Sequence, residues 1–455
     1  MKSYMSATRW SRALLVAAVV VAPAVAGAQA PAPGAKIGLQ DAIALALRQS
    51  VSVKQSENAV ASSNTTVESK QAAFLPTLSL NTSTARSVGR SGGSSFAGTS
   101  STAQSLNTGI SSQLVLFDGL RNVNELRAAK LDVAASTNEL TRARQTAVYT
   151  VATDYLNLST AEGQLAVQKE NLAAQEAQEK QLQTQVKAGA RSISDLYQQQ
   201  ATTASARAGV VAAEQAVELA RIALIQTLQL DPRASYDFVS PTVADASSVP
   251  QYDLDSLLTR AFASRTDLAA EQTRVDAAKV GTKAASSGRL PTVSLSTSYN
   301  ASYNSALANA LGNQLDQSRG GSLSIGVSLP LFDRGATSVA VQQAKIQEDN
   351  ARLQLADQKQ SVALDVRRAY LALETSRQQL AVAVAQQKAA DLAVSTTQAR
   401  YQVGTSTLLE LTQARASQVQ AATAVVTARN ALAFQNALMP YYTGELDPAK
   451  ALLAS

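Results

Sequence analysis

The chain repeats itself at a fixed spacing, and this repeat constrains the fold more than any local motif. Pro76 in FLPTLSLNTS corresponds to Pro291 in RLPTVSLSTS, and 291 − 76 = 215. The same offset relates Gly189 to Gly404. We therefore predict two copies of one structural unit, over residues 29–232 and 252–448, with a linker at 233–251 and a short tail at 449–455.

The first 28 residues have the features of a secretory signal peptide. Lys2, Arg9 and Arg12 precede a short apolar run, and a small-residue cleavage site follows at residues 26–28. The apolar run is short for a transmembrane helix, although an uncleaved inner-membrane anchor is the alternative. Because three basic residues leave with the signal, the net charge changes from +6 to 6 − 3 = +3, which does not favour a nucleic-acid partner.

Composition also limits the chemistry that the chain can perform. The sequence contains no Cys and no His, which excludes disulfides and the commonest general base and metal ligand. We therefore predict that the protein is not an enzyme and has no cofactor and no metal site. Only 4% of residues are aromatic. An Ala-rich and Gln-rich chain of this kind suits long, closely packed helices.

Each predicted unit has the same order of elements. A helix (39–74, then 254–289) ends before a proline and is followed by two alternating strands, a long helix and a return helix. The strands are predicted at 77–87, 106–117, 292–303 and 321–331, the long helices at 118–187 and 333–402, and the return helices at 192–230 and 407–439. A helix of 70 residues is about 105 Å long. The fold class is therefore α+β, with long coiled-coil helical hairpins and one β-hairpin in each repeat.

The strands alternate apolar and polar residues, as Leu78 and Leu80 do with Thr77 and Ser79. This alternation is typical of a barrel wall with one face in lipid. Four strands do not close a barrel, and open sheet edges are not tolerated in lipid, so the chain must oligomerise. Two copies give an eight-stranded barrel filled by side chains, whereas three give twelve strands and a water-filled pore, which we favour. A soluble coiled coil with incidental strands is the alternative.

The chain resembles the TolC family of bacterial outer-membrane efflux and type I secretion channels. The resemblance is carried by the LFDG and PLFDRG junctions, the FLP and RLP segments before the strands, and the tip segments VKAGARSISDLYQQQ and YQVGTSTLLELTQAR. It implies a homotrimer with a twelve-stranded outer-membrane barrel continuous with a periplasmic α-helical barrel. It also implies two partners at the periplasmic end: an adaptor (membrane fusion) protein and an inner-membrane pump of the RND or ABC type.

The resemblance also implies roles for residues at the helical tips. The acidic entrance ring of the family falls on Glu410 and Gln413, of which only Glu410 has a carboxylate. A closing contact between the tips falls on Asp195 and Tyr401. The arginine of another contact is replaced by Ser406, and Arg191 lies at the equivalent position of the first repeat, since 406 − 215 = 191. The adaptor-docking positions are Ala188, Gly189 and Ala190 in the first tip and Val403, Gly404 and Thr405 in the second.

We therefore expect a passive exit duct in the outer membrane that extends into the periplasm. A trimeric surface stalk or adhesin is a second hypothesis for a chain with long helices. A periplasmic adaptor is a third, but an adaptor would need β-rich domains on both sides of a single helical hairpin.

Overall fold

The computed structural model describes residues 36–90, 100–240, 250–305 and 310–447. The predicted signal peptide, the tail and most of the second half of the linker lie outside these residues. Within the described ranges, a search of the helices finds none with the length and apolarity needed to cross a membrane.

Most of the described chain is helical, and the two repeats follow the same plan. The first repeat contains α1 (Leu39–Gln49), α2 (Val51–Ala72), α3 (Arg121–Lys187) and α4 (Ile193–Thr227). The second contains α5 (Leu254–Ser264), α6 (Thr266–Ser286), a short α7 (Leu311–Gln317), α8 (Ala336–Gln402) and α9 (Leu408–Thr443). Both long helices, α3 and α8, have 67 residues, or about 100 Å.

The long helices organise the packing. Toward the tips, α3 packs against α4 and α9, and α8 packs against α9. Toward the sheet, α3 packs against α2 and α6, and α8 packs against α6. The short helices α1 and α5 lie between these two levels, against α3 and α8 respectively. The two repeats are therefore joined side by side along most of the rod.

The structure differs from the sequence-based prediction at the helices that precede the strands. One helix was expected over 39–74 and another over 254–289, but each is interrupted once, at Ser50 and at Arg265. At these residues the backbone becomes extended, with ψ of 126° and 118°. Neither break contains Pro or Gly. Helical periodicity therefore continues through both breaks and does not reveal them.

The predicted linker also differs from a simple connection. Its residues Asp237–Phe238 form a short strand, β4, which pairs in parallel with β1 (Lys36–Ile37). Phe238 is 3% exposed, and the Tyr155 hydroxyl donates a hydrogen bond to the Ile37 carbonyl oxygen at 2.7 Å. The first part of the linker thus belongs to a core cluster around the middle of α3.

Four longer strands form one antiparallel sheet in the order β2-β3-β5-β6. They are β2 (Thr77–Arg90), β3 (Ser100–Phe117), β5 (Thr292–Asn304) and β6 (Gly320–Ser328). β3 begins before the expected residue 106. β6 ends before the expected residue 331 because Pro330 has no backbone N–H for the ladder.

Each long helix begins three residues later than expected, after a left-handed turn. Leu120 has φ of 68° and Gly335 has φ of 82°. Asp118 Oδ2 accepts a hydrogen bond from the Asn122 N–H, and Asp333 Oδ2 accepts one from the Thr337 N–H, both at 2.8 Å. The two carboxylates thereby satisfy free N–H groups of the first helical turn.

The return helices end at different places from those expected. α4 ends at Thr227 rather than at residue 230, because Gln229 has a φ of 54°. α9 continues past residue 439, through Pro440, to Thr443. Gly444, with φ of 79°, then ends α9.

Candidate functional site: the sheet faces and the helical tips

The strand register places apolar side chains on one face of the four-stranded sheet. Leu80 pairs with Ile110, and Ile110 pairs with Tyr299. In another row, Leu114 pairs with Leu295, which pairs with Ile325. The side chains at the two edges of these rows are exposed, Leu80 by 73% and Ile325 by 69%, whereas Leu114 and Leu295 in the middle of the sheet are partly buried. A broad exposed apolar face of this kind indicates contact with lipid or with another protein.

The opposite face of the sheet is polar and uncharged. One row across the four strands is Ser79, Ser111, Ser298 and Ser322, and the next is Thr77, Gln113, Ser296 and Ser324. These residues line a depression of about 270 Å³, so the polar face is concave. Among the side chains that the structure describes on this face, none is charged. The face can therefore border water without favouring either sign of ion.

Both edges of the sheet are open. β2 and β6 lie at the two ends of the strand order, and each pairs with one neighbour among the described strands. Unpaired edge groups beside an exposed apolar face are not stable in lipid unless another strand pairs with them. The sheet thus has the properties of one segment of a larger wall.

At the other end of the rod, each helical hairpin turns through the same backbone motif. Gly189 has φ of 72°, its N–H donates to the Val186 carbonyl at 3.0 Å, and the Ala190 N–H donates to the Gln185 carbonyl at 2.8 Å. Gly404 has φ of 81° and forms the equivalent pair of bonds through its own N–H and that of Thr405. This is the Schellman motif, in which glycine tolerates the left-handed conformation.

The turn residues predicted to dock a partner are exposed. Ala188, Gly189 and Ala190 in the first tip and Gly404 and Thr405 in the second are accessible to solvent, and Val403 is 75% exposed. No atom lies within 4 Å of the position that a Cβ would occupy on either glycine. Both turns are therefore available for contact with another molecule.

Glu410 lies in the first turn of α9 and points to solvent. The Ser406 hydroxyl donates a hydrogen bond to Glu410 Oε2, and Thr407 Oγ1 accepts one from the Glu410 N–H at 3.2 Å. The Ser406 hydrogen bond, aided by the Thr407 hydrogen bond and by the positive charge of Arg400, lowers the pKa of the Glu410 carboxyl below its usual value. Gln413 is also exposed, one turn further along α9. Glu410 is therefore a fixed negative charge near the tip.

Arg191 and Tyr401 connect the two tips within one chain. Arg191 Nη2 donates a hydrogen bond to the Tyr401 carbonyl oxygen at 2.8 Å, and its guanidinium lies 4.4 Å from the centre of the Tyr401 ring. Tyr401 is 3% exposed and packs in a core cluster with Leu182, Leu408 and Leu411. Arg191 thus combines a hydrogen bond with a cation–π contact.

The expected hydrogen bond between Asp195 and Tyr401 is not formed within the chain. The Tyr401 hydroxyl is buried and has no hydrogen-bond partner among the described residues. Burial raises the pKa of this hydroxyl, the charge of Arg191 opposes the shift, and Asp195 adds to it. Asp195 is therefore close enough to influence Tyr401 electrostatically, but Arg191 makes the direct contact.

Arg415 is a tip residue that sequence reasoning did not identify. It is 9% exposed and donates hydrogen bonds to the Ala174 carbonyl at 3.3 Å, to Gln178 Oε1 at 3.5 Å and to Gln398 Oε1 at 2.7 Å. These bonds link α9 to α3 and α8, and burial lowers the pKa of the guanidinium. Arg415 follows Leu408 and Leu411 on the buried side of α9. An arginine at a position where the helical periodicity predicts an apolar residue was the sequence feature that could have identified it.

Among the residues that the structure describes, no three acidic side chains are grouped so that they could hold a metal ion. The elements present are a sheet segment with an apolar face, a helical rod and exposed turns. Together they define the class of outer-membrane channel proteins.

The chain belongs to the family described as "Outer membrane efflux protein". The family's sequence profile matches residues 42–228 and 257–439, and the two matched segments start 257 − 42 = 215 residues apart. The predicted resemblance to TolC-like channels and the predicted location in the outer membrane, with extension into the periplasm, are thereby confirmed. This family consists of efflux channels and is not an enzyme family.

Individual relatives agree with this assignment. Outer membrane efflux protein BepC of Brucella suis biovar 1 (strain 1330) is 26% identical over 322 residues, which cover 71% of this chain and 68% of BepC. Among solved structures, the outer membrane protein VceC of Vibrio cholerae aligns with a TM-score of 0.74 at 19% identity, covering 89% of this chain and 96% of VceC.

A further solved structure is the open state of the outer membrane channel MtrE of Neisseria gonorrhoeae. It aligns with a TM-score of 0.73 at 22% identity and covers 91% of each chain. At these identities, VceC and MtrE show the fold alone. They confirm the tandem repeat of long helices with a small antiparallel sheet.

Proposed function

We propose that three copies of this chain close into a channel that forms the exit duct of a tripartite efflux or type I secretion system. The observation that carries the proposal is the sheet, which has an exposed apolar face, an uncharged concave face and two open edges. If β6 of each copy pairs with β2 of the next, three copies give twelve strands around a water-filled pore. The apolar face then contacts lipid and the serine-rich face lines the pore.

Ion selectivity is assigned to the opposite end of the duct. Threefold assembly brings three copies of Glu410 around a narrow passage, where fixed carboxylates attract cations and repel anions. Gln413 lies on the same helix but adds no charge. Since the concave face of the sheet has no charged side chain among its described residues, the Glu410 ring is the main source of charge selectivity.

The two tips of each chain hold the entrance closed and dock the partner. The contact of Arg191 with the Tyr401 carbonyl and ring takes the place of the contact expected for Asp195, and it does not need an arginine at position 406. The exposed turns at Gly189, Ala190, Val403, Gly404 and Thr405 are proposed to bind a periplasmic adaptor, which connects the duct to an RND or ABC pump in the inner membrane.

Electrical recording from planar lipid bilayers tests this proposal. The purified protein is expected to insert as a trimer and to conduct ions in discrete steps. A monodisperse soluble monomer without affinity for lipid would contradict the proposal. Protease added to intact cells separates the duct from a surface stalk, because a periplasmic rod is protected and a stalk is digested.

A further inference from the structure

Charged residues are rare in the two β-hairpins and lie near one end of the sheet. Residues 77–117 and 292–331 contain no lysine and no glutamate. Their charged residues are Arg86 and Arg90 near the end of β2, and Asp316 and Arg319 just before β6 begins at Gly320. This end of the sheet is the distal one, because the opposite ends of the strands connect to the helices of the rod. Each chain therefore carries a net charge of 3 − 1 = +2 at the distal end of its sheet.

Arg86 lies on the apolar face of the sheet. It follows Leu80 by six residues on β2, and successive side chains of a strand alternate between the two faces, so Arg86 and Leu80 share a face. The strand register pairs Arg86 with Gln104. The Arg86 side chain is exposed, as that of Leu80 is. On a face that we assign to lipid, Arg86 must lie outside the hydrocarbon layer, because placing an arginine at the middle of a bilayer costs free energy.

The height of the apolar band places Arg86 just beyond its outer boundary. On β5, the positions that share the apolar face run from Val293 to Tyr303, a separation of 303 − 293 = 10 residues. Ten residues extend about 33 Å along a strand, or about 25 Å across a membrane at a tilt of about 40°, which is the height of the apolar band of membrane barrels. Tyr303 pairs with Leu106, and Leu106 pairs with Thr84. Arg86 is two residues beyond Thr84, in the next row of the same face.

The guanidinium of Arg86 has no counter-charge in the part of the chain that the structure describes. Asp316 is the one acidic residue in the sequence of the two hairpins, and it pairs with Arg319 Nη1 at 2.9 Å. An arginine beyond a tyrosine at the edge of an apolar band is typical of the boundary between lipid tails and headgroups. The charge of Arg86 is therefore available to an anion from outside the chain.

We propose that Arg86 binds a phosphate group of a lipid headgroup in the outer leaflet of the membrane. The inference rests on the proposed duct and adds the class of lipid that surrounds it. The planar guanidinium donates to two phosphate oxygens at once, while the acyl chains of the same lipid contact the apolar face near Leu106 and Tyr303. Three copies of the chain provide three such sites around the outer rim of the barrel.

A carboxylate of a neighbouring copy is the alternative anion. β2 and β6 lie at opposite edges of the sheet, so the proposed assembly brings Arg86 of one copy toward Asp316 of the next. The observations favour lipid, because Asp316 already has Arg319 as its ion-pair partner, whereas Arg86 lies on the apolar face. The two anions predict different effects of removing the charge of Asp316.

Titration of the protein with lipid tests the proposal. The trimer is purified in a non-ionic detergent without added lipid, and native mass spectrometry compares the binding of diphosphorylated lipid A with that of the same lipid after both phosphates are removed. The natural chain should bind the phosphorylated lipid about tenfold more tightly, the effect of a hydrogen bond to a charged group. In Arg86→Gln the ratio should fall to about twofold or less. Arg86→Lys should give an intermediate ratio, because lysine keeps the charge without the planar fork.

Two control variants make the result specific. Arg207→Gln removes one positive charge from the exposed surface of α4, toward the tips, and should keep the ratio of the natural chain. Asp316→Asn should also keep this ratio, and light scattering should show that it remains a trimer.

Three results would overturn the proposal. If Arg86→Gln and Asp316→Asn both weaken the trimer in lipid-free detergent, Arg86 pairs with Asp316 of the neighbouring copy instead of with lipid. Equal binding of the two lipids by the natural trimer, or an unchanged ratio in Arg86→Gln, shows that Arg86 binds no phosphate and leaves the proposed duct intact. If the natural chain forms no trimer, the lipid site and the duct are both wrong.

Discussion

The helix breaks at Ser50 and Arg265 have similar backbone conformations but different side chains. At the α5–α6 break, the Arg265 side chain is 3% exposed, hydrogen-bonds to Asp267 and lies 3.7 Å from Asp365. At the α1–α2 break, 265 − 215 = 50, and Ser50 hydrogen-bonds to Ser52 at 2.9 Å. A cavity of about 490 Å³ lies beside the α1–α2 break and is lined partly by Thr146, Thr150, Asp154 and Thr227.

This difference shows that the side chains at the helix break were free to diverge between the two repeats. The α5–α6 break of the second repeat carries charged side chains, and there Arg142 of the first repeat lies 3.8 Å from Asp267. These charges belong to one chain and therefore meet when that chain folds. The hydroxyl-lined break lies beside Gln226 and Gln229, and burying a hydroxyl group costs less free energy than burying a charged group. The backbone plan was retained in both repeats while the side chains diverged with their surroundings.

Removing the charge of Asp267 is expected to have the largest effect on the stability of the protein. Asp267→Asn removes the carboxylate that hydrogen-bonds to Arg265 and lies 3.8 Å from Arg142, and leaves Arg265 only the more distant Asp365 at 3.7 Å. The free energy of unfolding should fall by about 3–5 kcal/mol, the cost of breaking a buried pair. The matched change Ser52→Ala should cost less than about 1 kcal/mol. Denaturant unfolding in detergent, followed by helical circular dichroism, measures both, and equal losses would contradict the contrast.

The same carboxylate should make the stability depend on pH. Burial alone raises the pKa of the Asp267 carboxyl, but its hydrogen bonds and the charges of Arg265 and Arg142 bring the pKa below the ordinary value. Its contribution is therefore complete above the unfolded pKa of about 3.9 and is lost as pH falls through the lower folded pKa. In Asp267→Asn, the acid-unfolding transition should lack the pH-dependent contribution of this carboxyl. An unchanged acid transition would show that Asp267 does not contribute.

Two glycines with the same backbone conformation extend the comparison from the α5–α6 break, which Gly444 contacts, to the second tip, which contains Gly404. Gly444→Ala places a Cβ 2.7 Å from the Arg265 Cα, whereas Gly404→Ala meets no atom within 4 Å. Both changes carry the left-handed penalty of about 1–2 kcal/mol. The additional overlap should make Gly444→Ala clearly more destabilising in thermal unfolding. Similar melting temperatures for the two variants would contradict this expectation.

The contact between the tips is expected to have a smaller energy. Arg191→Ala removes one hydrogen bond and one cation–π contact, together worth about 1–2 kcal/mol, so the open fraction of the channel should rise by roughly tenfold. Arg400→Ala is the matched control, since Arg400 Nη2 bonds to the Thr405 carbonyl of its own turn at 3.3 Å. Single-channel recording distinguishes them, and equal open fractions would show that Arg191 does not close the entrance.

Substitutions at the entrance ring are expected to have the smallest effect, which is a change in charge selectivity. Glu410→Gln is expected to lower the cation-to-anion permeability ratio by about twofold, and Gln413→Glu should raise it, because each alters the fixed charge of the entrance ring. Reversal potentials in a salt gradient measure the ratio. A Glu410→Gln channel with unchanged selectivity would place the selective charge elsewhere.

The sequence predicts the parts of this molecule that depend on periodicity. The 215-residue offset, the prolines before the strands and the alternation around Leu78 and Leu80 are enough to indicate a duplicated rod with a sheet at one end. The break at Ser50 could not be predicted, since no Pro or Gly marks it. The contact between Arg191 and Tyr401 could not be predicted either, because it depends on how two hairpins pack.

Single-particle imaging of the protein extracted in mild detergent tests the central claim most directly. We expect a threefold particle in which β6 of each copy hydrogen-bonds to β2 of the next. The face that carries Leu80, Ile110 and Ile325 should lie against detergent, and the serine-rich face should line a continuous pore. A single chain whose sheet has no neighbour, or a particle in which the apolar face is packed inside protein, would contradict the account.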